Sequence, residues 1–109
     1  MFTHREEHGK IVVAIEGNLD EEVSQKLHEY IRVFIESGYS FFVLDCSKVG
    51  YICSSGLAVL CSIRSQLQDK GKGWVRLAVL SQDIKDVLAF VMVTDMIGIY
   101  ETVEESLEV

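Results

Sequence analysis

The chain has 109 residues, 49% of them hydrophobic, which is enough for one domain with a buried core. Its 17 acidic against 10 basic residues leave a net charge of −7, a balance that repels a phosphate backbone and argues against a nucleic-acid partner. No apolar run approaches the ~20 residues that cross a bilayer, and Met1 to Glu7 lacks the basic and apolar segments of a secretory signal. No membrane association and a cytoplasmic location are expected.

In chain order, Phe2 to Glu7 and Ile11 to Glu16 read as two strands joined at Gly9-Lys10. The unbroken run Ile11 to Ile15 is the pattern of a strand covered on both faces. From Glu21 to Ser37, Val23, Leu27, Tyr30, Ile31 and Phe34 recur at spacings of three and four, which predicts a helix with one apolar face. Asp20 is its natural N-cap, Glu21 and Glu22 suit the positive end of its dipole, and Gly38 closes it. Phe41 to Leu44 reads as a central strand that ends at Asp45 and Cys46.

A second helix is predicted from about Ser55 to Asp69, stopping near Gly71-Lys72-Gly73, with Leu57, Leu60, Ile63 and Leu67 as its core stripe. Ala58, Val59 and Cys61 make its first two turns apolar almost all round, so a neighbouring element or a partner must cover the extra face. Trp74 to Leu80 is the next strand. Ser81 caps a third helix through Phe90, with Ile84, Val87 and Leu88 inward. Ile97 to Tyr100 forms a last strand and Val103 to Leu107 a closing helical turn. Strands alternating with helices predict an α/β fold with a mostly parallel sheet and right-handed crossovers, in one domain over residues 1–109.

The segment Asp45 to Leu60, D-C-S-K-V-G-Y-I-C-S-S-G-L-A-V-L, carries the functional signal. It puts Ser54 or Ser55 at a helix start, where unpaired N–H groups and the dipole favour a capping oxygen or an anion. Taken alone, such a serine is most simply a cap worth about 1 kcal/mol. Asp45 and Ser47, taken alone, are turn formers. Cys46, Cys53 and Cys61 contain no C-x-x-C pair, so no disulfide framework is expected, and Cys46 and Cys61 read as small buried hydrophobes. His4, His8 and His28 fall at no ligand-like spacing, and nothing marks any of them as a base for a serine or cysteine nucleophile. No glycine-rich phosphate loop is present. Neither a catalytic residue, a metal site nor a cofactor is assigned.

The same segment resembles the phosphorylation-site loop of STAS domains, in particular that of the free-standing bacterial anti-sigma factor antagonists, D-x-S-x-V-x-x-(hydrophobic)-D-(S/T)-(S/A)-G-L. Asp45, Ser47, Val49, Ile52, Ser54, Ser55, Gly56 and Leu57 carry the match. Gly17-Asn18-Leu19-Asp20, Ser81 and the segment Ile99 to Leu107 extend it over nearly the whole chain. The resemblance implies a small mixed sheet with helices packed mainly against one side, and a binding module rather than an enzyme. Carried over by position, Ser55 is the phosphoacceptor and Ser54 its rival. The implied partner is an anti-sigma factor that is also a serine kinase, with a serine phosphatase to reset the switch in transcription regulation. Asp45, Ser47, Cys53, Ser54, Gly56, Leu57 and Ala58 are then loop-orienting or partner-contacting residues, Gly56 because a glycine lets another chain approach the backbone closely.

Two positions depart from that pattern. Cys53 stands where the family has Asp, which removes a carboxylate beside the acceptor and places a thiol near a helix N-terminus, where a redox input is conceivable. Val91-Met92-Val93 stands where the family often has a small residue and a glycine. Two further readings therefore stay open. One is a phosphate-free STAS scaffold or homo-oligomerising signalling subunit that uses the apolar start of the second helix. The other is a module binding a small ligand such as a nucleotide or lipid.

Overall fold

The computed structural model describes residues 1–90 and 97–108. Its elements are β1 (Phe2–Glu7), β2 (Lys10–Glu16), α1 (Glu21–Glu36), β3 (Phe41–Lys48), α2 (Ser54–Asp69), β4 (Trp74–Ala78), α3 (Gln82–Phe90), β5 (Gly98–Tyr100) and α4 (Val103–Ser106). The five strands lie side by side in the order β1-β2-β3-β4-β5, with β1 antiparallel to β2 and the remaining neighbours parallel.

Because each parallel strand is added on the same side of the one before, right-handed crossovers send α1, α2 and α3 to a single face. Beneath them Val13, Phe42, Leu44 and Leu77 point from the sheet into a core shared with Leu27, Ile31, Leu60, Ile63, Leu67 and Leu88. This is the one-sided helix layer that the resemblance implies.

The second face holds Val12, Val43 and Ala78, covered by Val103 of α4. A helix of four residues cannot sustain itself. Arg76 holds it in place: its guanidinium lies 3.7 Å from the centroid of the Trp74 ring and donates to the carbonyls of Ser106, at 3.0 Å, and Glu108. Thr102 caps α4 by accepting from the Glu105 N–H. Val12 and Val13 are both buried, so β2 is covered on both faces as its sequence predicts.

Several boundaries move. The hairpin turns at His8-Gly9, one residue early, because these two adopt φ +52° and +81°, the left-handed pair that a two-residue turn requires. Strand β3 runs on past Leu44 to Lys48, so neither Asp45 nor Cys46 ends it. Asp45 pairs with Ala14 and Ala78 inside the sheet, and the register against β2 shifts immediately afterwards. Strand β4 stops at Ala78, because Val79 takes a left-handed φ of +61° that strands do not accommodate. Val87 is exposed rather than inward, since α3 presents only Ile84 and Leu88 to the core. Cys61 is half-buried where full burial is expected. Val91-Met92-Val93 lies outside the described residues.

Cys46 is buried, and burial first and the Asp45 charge second push its thiol up to about 12. An unfolded cysteine titrates near 8.5. A folded-state value above the unfolded one contributes stability that is complete below the unfolded pKa and is lost as pH rises towards the folded one. Urea unfolding is therefore expected to show lower stability at pH 10 than at pH 8, with a smaller difference in Cys46→Ala. Replacing Arg76 with Ala is expected to cost about 2 kcal/mol in the same assay and to speed amide exchange in α4.

Candidate functional site

Helix α2 starts at Ser54, one residue earlier than its pattern suggests, with Cys53 in extended backbone as the N-cap. The thiol is a weak acceptor, and the Cys53 side chain makes no cap hydrogen bond. Ser54 is therefore the first helical residue and exposed, and Ser55 the second and half-buried. Neither serine is a cap, which corrects the capping role considered for each.

Charge sharpens the difference from the other helices. α1 opens with Glu21 and Glu22, α3 with Asp83, and α4 with Glu104 and Glu105, whereas the first turn of α2 carries no acidic residue. The positive end of its dipole thus meets no side-chain bond from its N-cap and no carboxylate in its own first turn.

The loop that delivers α2 is strapped to the loop that delivers α1. Gly17 N–H donates to the Lys48 carbonyl at 3.3 Å, Leu19 N–H to the Tyr51 carbonyl at 2.9 Å, and Cys53 N–H to the Leu19 carbonyl at 3.0 Å. Leu19 and Ile52 pair as an isolated parallel bridge, and both side chains are buried. Between these contacts the Asn18 carboxamide oxygen accepts from the Gly50 N–H at 3.0 Å. The Gly17–Asp20 motif is visible in the sequence. Its Gly50 partner carries no sequence signal, because a glycine in a loop is unremarkable until something is seen to occupy the space beside it.

The remaining candidates fall in different places. Gly56 is buried, and a Cβ there would meet Ile52 Cγ2 at 2.8 Å, Ser24 Oγ at 3.1 Å and the Leu19 carbonyl oxygen at 3.2 Å. Within the chain, the close approach at Gly56 is made by Ile52, Ser24 and Leu19. Leu57 is half-buried at the edge of the core and Ala58 is exposed. Asp45 alternates with Leu44 and Cys46, so it faces the side of the sheet opposite α2. There its Oδ1 accepts from the Ser47 N–H at 3.0 Å, the contact of a turn former, although Ser47 is still within β3. The structure does not bring Asp45 to the side of the sheet that carries the two serines.

A cleft of about 110 Å³ lies between the loop Gly50–Ile52 and α3, bordered by Asp83, Ile84, Val87 and Leu88. Tyr51 and Val87 stand at its mouth, 50% and 48% exposed. Tyr51 was not a candidate from sequence, since a single loop tyrosine has no pattern to mark it. Among the described residues no three His, Cys, Asp or Glu side chains gather as a ligand set, and no helix is long and apolar enough to cross a membrane.

A strand-ordered sheet, helices on one side and a serine pair opening α2 accord with the family comparison, in which residues 2–106 match the STAS domain. The chain belongs to the STAS domain family. Solved STAS structures share the fold at low identity. A Thermotoga maritima protein assigned as an anti-sigma factor antagonist is 21% identical with a TM-score of 0.91, over 97% of this chain and 91% of that one. An anti-sigma factor antagonist from Mycobacterium paratuberculosis is 18% identical with a TM-score of 0.87, over 98% and 90%. The Bacillus cell-fate determinant SpoIIAA in its phosphorylated form is 18% identical with a TM-score of 0.75, over 98% and 96%.

Gly56 offers a direct check on the packing of this STAS site. Alanine in place of glycine inside a helix ordinarily gains about 1 kcal/mol. Here the Ile52 methyl can yield but the Leu19 backbone cannot, so Gly56→Ala is expected to lower stability by about 1–2 kcal/mol in chemical denaturation.

Proposed function

We propose that this STAS domain is an anti-sigma factor antagonist that works by partner switching, with Ser55 as its phosphoacceptor. Unmodified, it binds an anti-sigma factor that is also a serine kinase, and so frees the sigma factor. Phosphate on Ser55 ends that binding, and a serine phosphatase restores it. The chain itself supplies a surface and an acceptor hydroxyl, not catalysis, and acts in the cytoplasm.

The observation that carries this reading is the start of α2. A serine sits second in a helix whose N-cap makes no side-chain bond and whose first turn holds no acidic residue. A phosphate adds about −1.5 to −2 charges and three acceptor oxygens, which this uncompensated end tolerates without unfolding. The same charge repels or blocks a partner seated on Ser54, Ala58 and the exposed Tyr51. A protein of the same fold supports the idea, since SpoIIAA is known in an unphosphorylated and a phosphorylated form. Cys53, in place of the family's Asp, takes away one contact to the kinase and leaves the helix end more receptive to the added charge.

A second reading drops the phosphate and keeps the surface. It rests on that same cysteine and on the apolar cleft at Tyr51 and Val87, which would then serve a scaffold or homo-oligomer. Phosphosite mapping of protein from its own cells separates the two: phosphoserine 55 supports the switch, phosphoserine 54 alone moves the acceptor by one residue, and unmodified protein under all growth conditions favours the scaffold. Ser55→Asp is expected to weaken binding to the anti-sigma factor at least about tenfold by calorimetry, roughly the ~1.4 kcal/mol of one lost charge-sensitive contact. Ser55→Ala should bind normally and take up no phosphate. Unchanged affinity in Ser55→Asp would count against the proposal.

A further inference from the structure

We infer that Asn18 is a positioning residue for the phosphoacceptor, acting through Gly50; this rests on the partner-switching reading above. Since no side chain caps α2, the placement of Ser54 and Ser55 is decided by the segment that leads into them. Asn18 makes a side-chain hydrogen bond into that segment, its Oδ1 accepting from the Gly50 N–H at 3.0 Å. From this clasp the strap continues through Leu19 to the Tyr51 carbonyl and the Cys53 N–H, and so to the N-cap of α2.

The fit is mutual. A Cβ at position 50 would stand 2.8 Å from the Asn18 Oδ1, so the carboxamide fills the space that a side chain at position 50 would take. Gly50 has no left-handed φ, so a larger residue there is not opposed by its backbone. What it would displace is the far end of the Asn18 side chain, which can swing away at little cost to the fold. The clasp is thus separable from stability. One neutral hydrogen bond is small beside the stability of a domain, and its loss is felt as local opening rather than as unfolding.

The test uses the full chain, labelled with 15N, and the kinase activity of an extract from its own cells. Asn18→Ala and Gly50→Ala are each expected to speed amide exchange at positions 50 and 53 about fivefold or more and to shift Tm by less than about 4 °C. Each should also slow phosphate incorporation at Ser55 several-fold. The double variant should be no slower than either single one, because both substitutions break the same contact. Asn18→Asp, which keeps the accepting oxygen, should restore the exchange pattern and the rate.

Unchanged exchange in the single variants would overturn the inference, as would faster exchange with an unaltered rate at Ser55, or additive effects in the double variant. A Tm drop beyond about 8 °C in both single variants would overturn it too, by making Asn18 a folding residue. Wild-type protein that takes up no phosphate would defeat the partner-switching reading and this inference together. Normal labelling of both wild type and variants would defeat this inference alone.

Discussion

The handedness of the crossovers between sequentially ordered parallel strands is the constraint on which the rest of this structure depends. Strands β2 to β5 are laid down in chain order without a reversal, and each connection turns the same way. The helices are therefore forced to one face. The carboxyl ends of β2, β3 and β4 are forced to one edge, the place where open parallel sheets present their loops to ligands. The loops 17–20 and 49–53 meet there, and Leu19 pairs with Ile52 as a short parallel bridge beyond the ends of the regular strands. The start of α2 is thus placed by topology, with Ser54 and Ser55, the acceptors we propose, standing where the β3 connection enters its helix.

The same constraint creates a problem on the opposite face, where no crossover helix arrives to bury Val12, Val43 and Ala78. The chain solves it with its last described segment. α4 is too short to hold by its own hydrogen bonds, and Arg76 ties it down by joining a ring stack to carbonyl acceptors. This face is also where Asp45 points, and its bond to the Ser47 N–H accompanies the register shift that lets β3 continue towards the loop. Asp45 thus lies on the far side of the sheet from the two serines.

Electrostatics then distinguish α2 from its neighbours. In a chain of net charge −7, α1, α3 and α4 open on carboxylates and α2 on a thiol and two hydroxyls. The exception coincides with the serine pair. On the proposed reading that end receives the negative charge of a phosphate, and the neutral Asn18 carboxamide, bonded to the Gly50 N–H, adds no charge to the loop that leads there.

Much of this was legible in the residues, and the reasons divide cleanly. Period-four apolar spacing determined α1 and most of α2. The apolar runs from Ile11 and from Phe41 determined the central strands, and the alternation of elements determined the mostly parallel sheet, while the one-sided helix layer was implied by the family resemblance. The serine pair before Gly56-Leu57 pointed to the start of α2 as the candidate site. What only the tertiary structure decided depends on neighbours distant in the chain. Val87 is exposed and Cys61 half-buried, since among the described residues none encloses them, and periodicity alone cannot tell which neighbours will cover a face. Asp45 faces away from the serines because β3 runs four residues beyond its apolar core, a length set by pairing with β2 and β4. Gly56 packs inward on Leu19 and Ser24, and Gly50 makes room for Asn18, because two loops 32 residues apart are brought together by the sheet. Local sequence determines which element a residue joins, but what fills the space beside it is determined by the packing of segments that the sequence keeps apart.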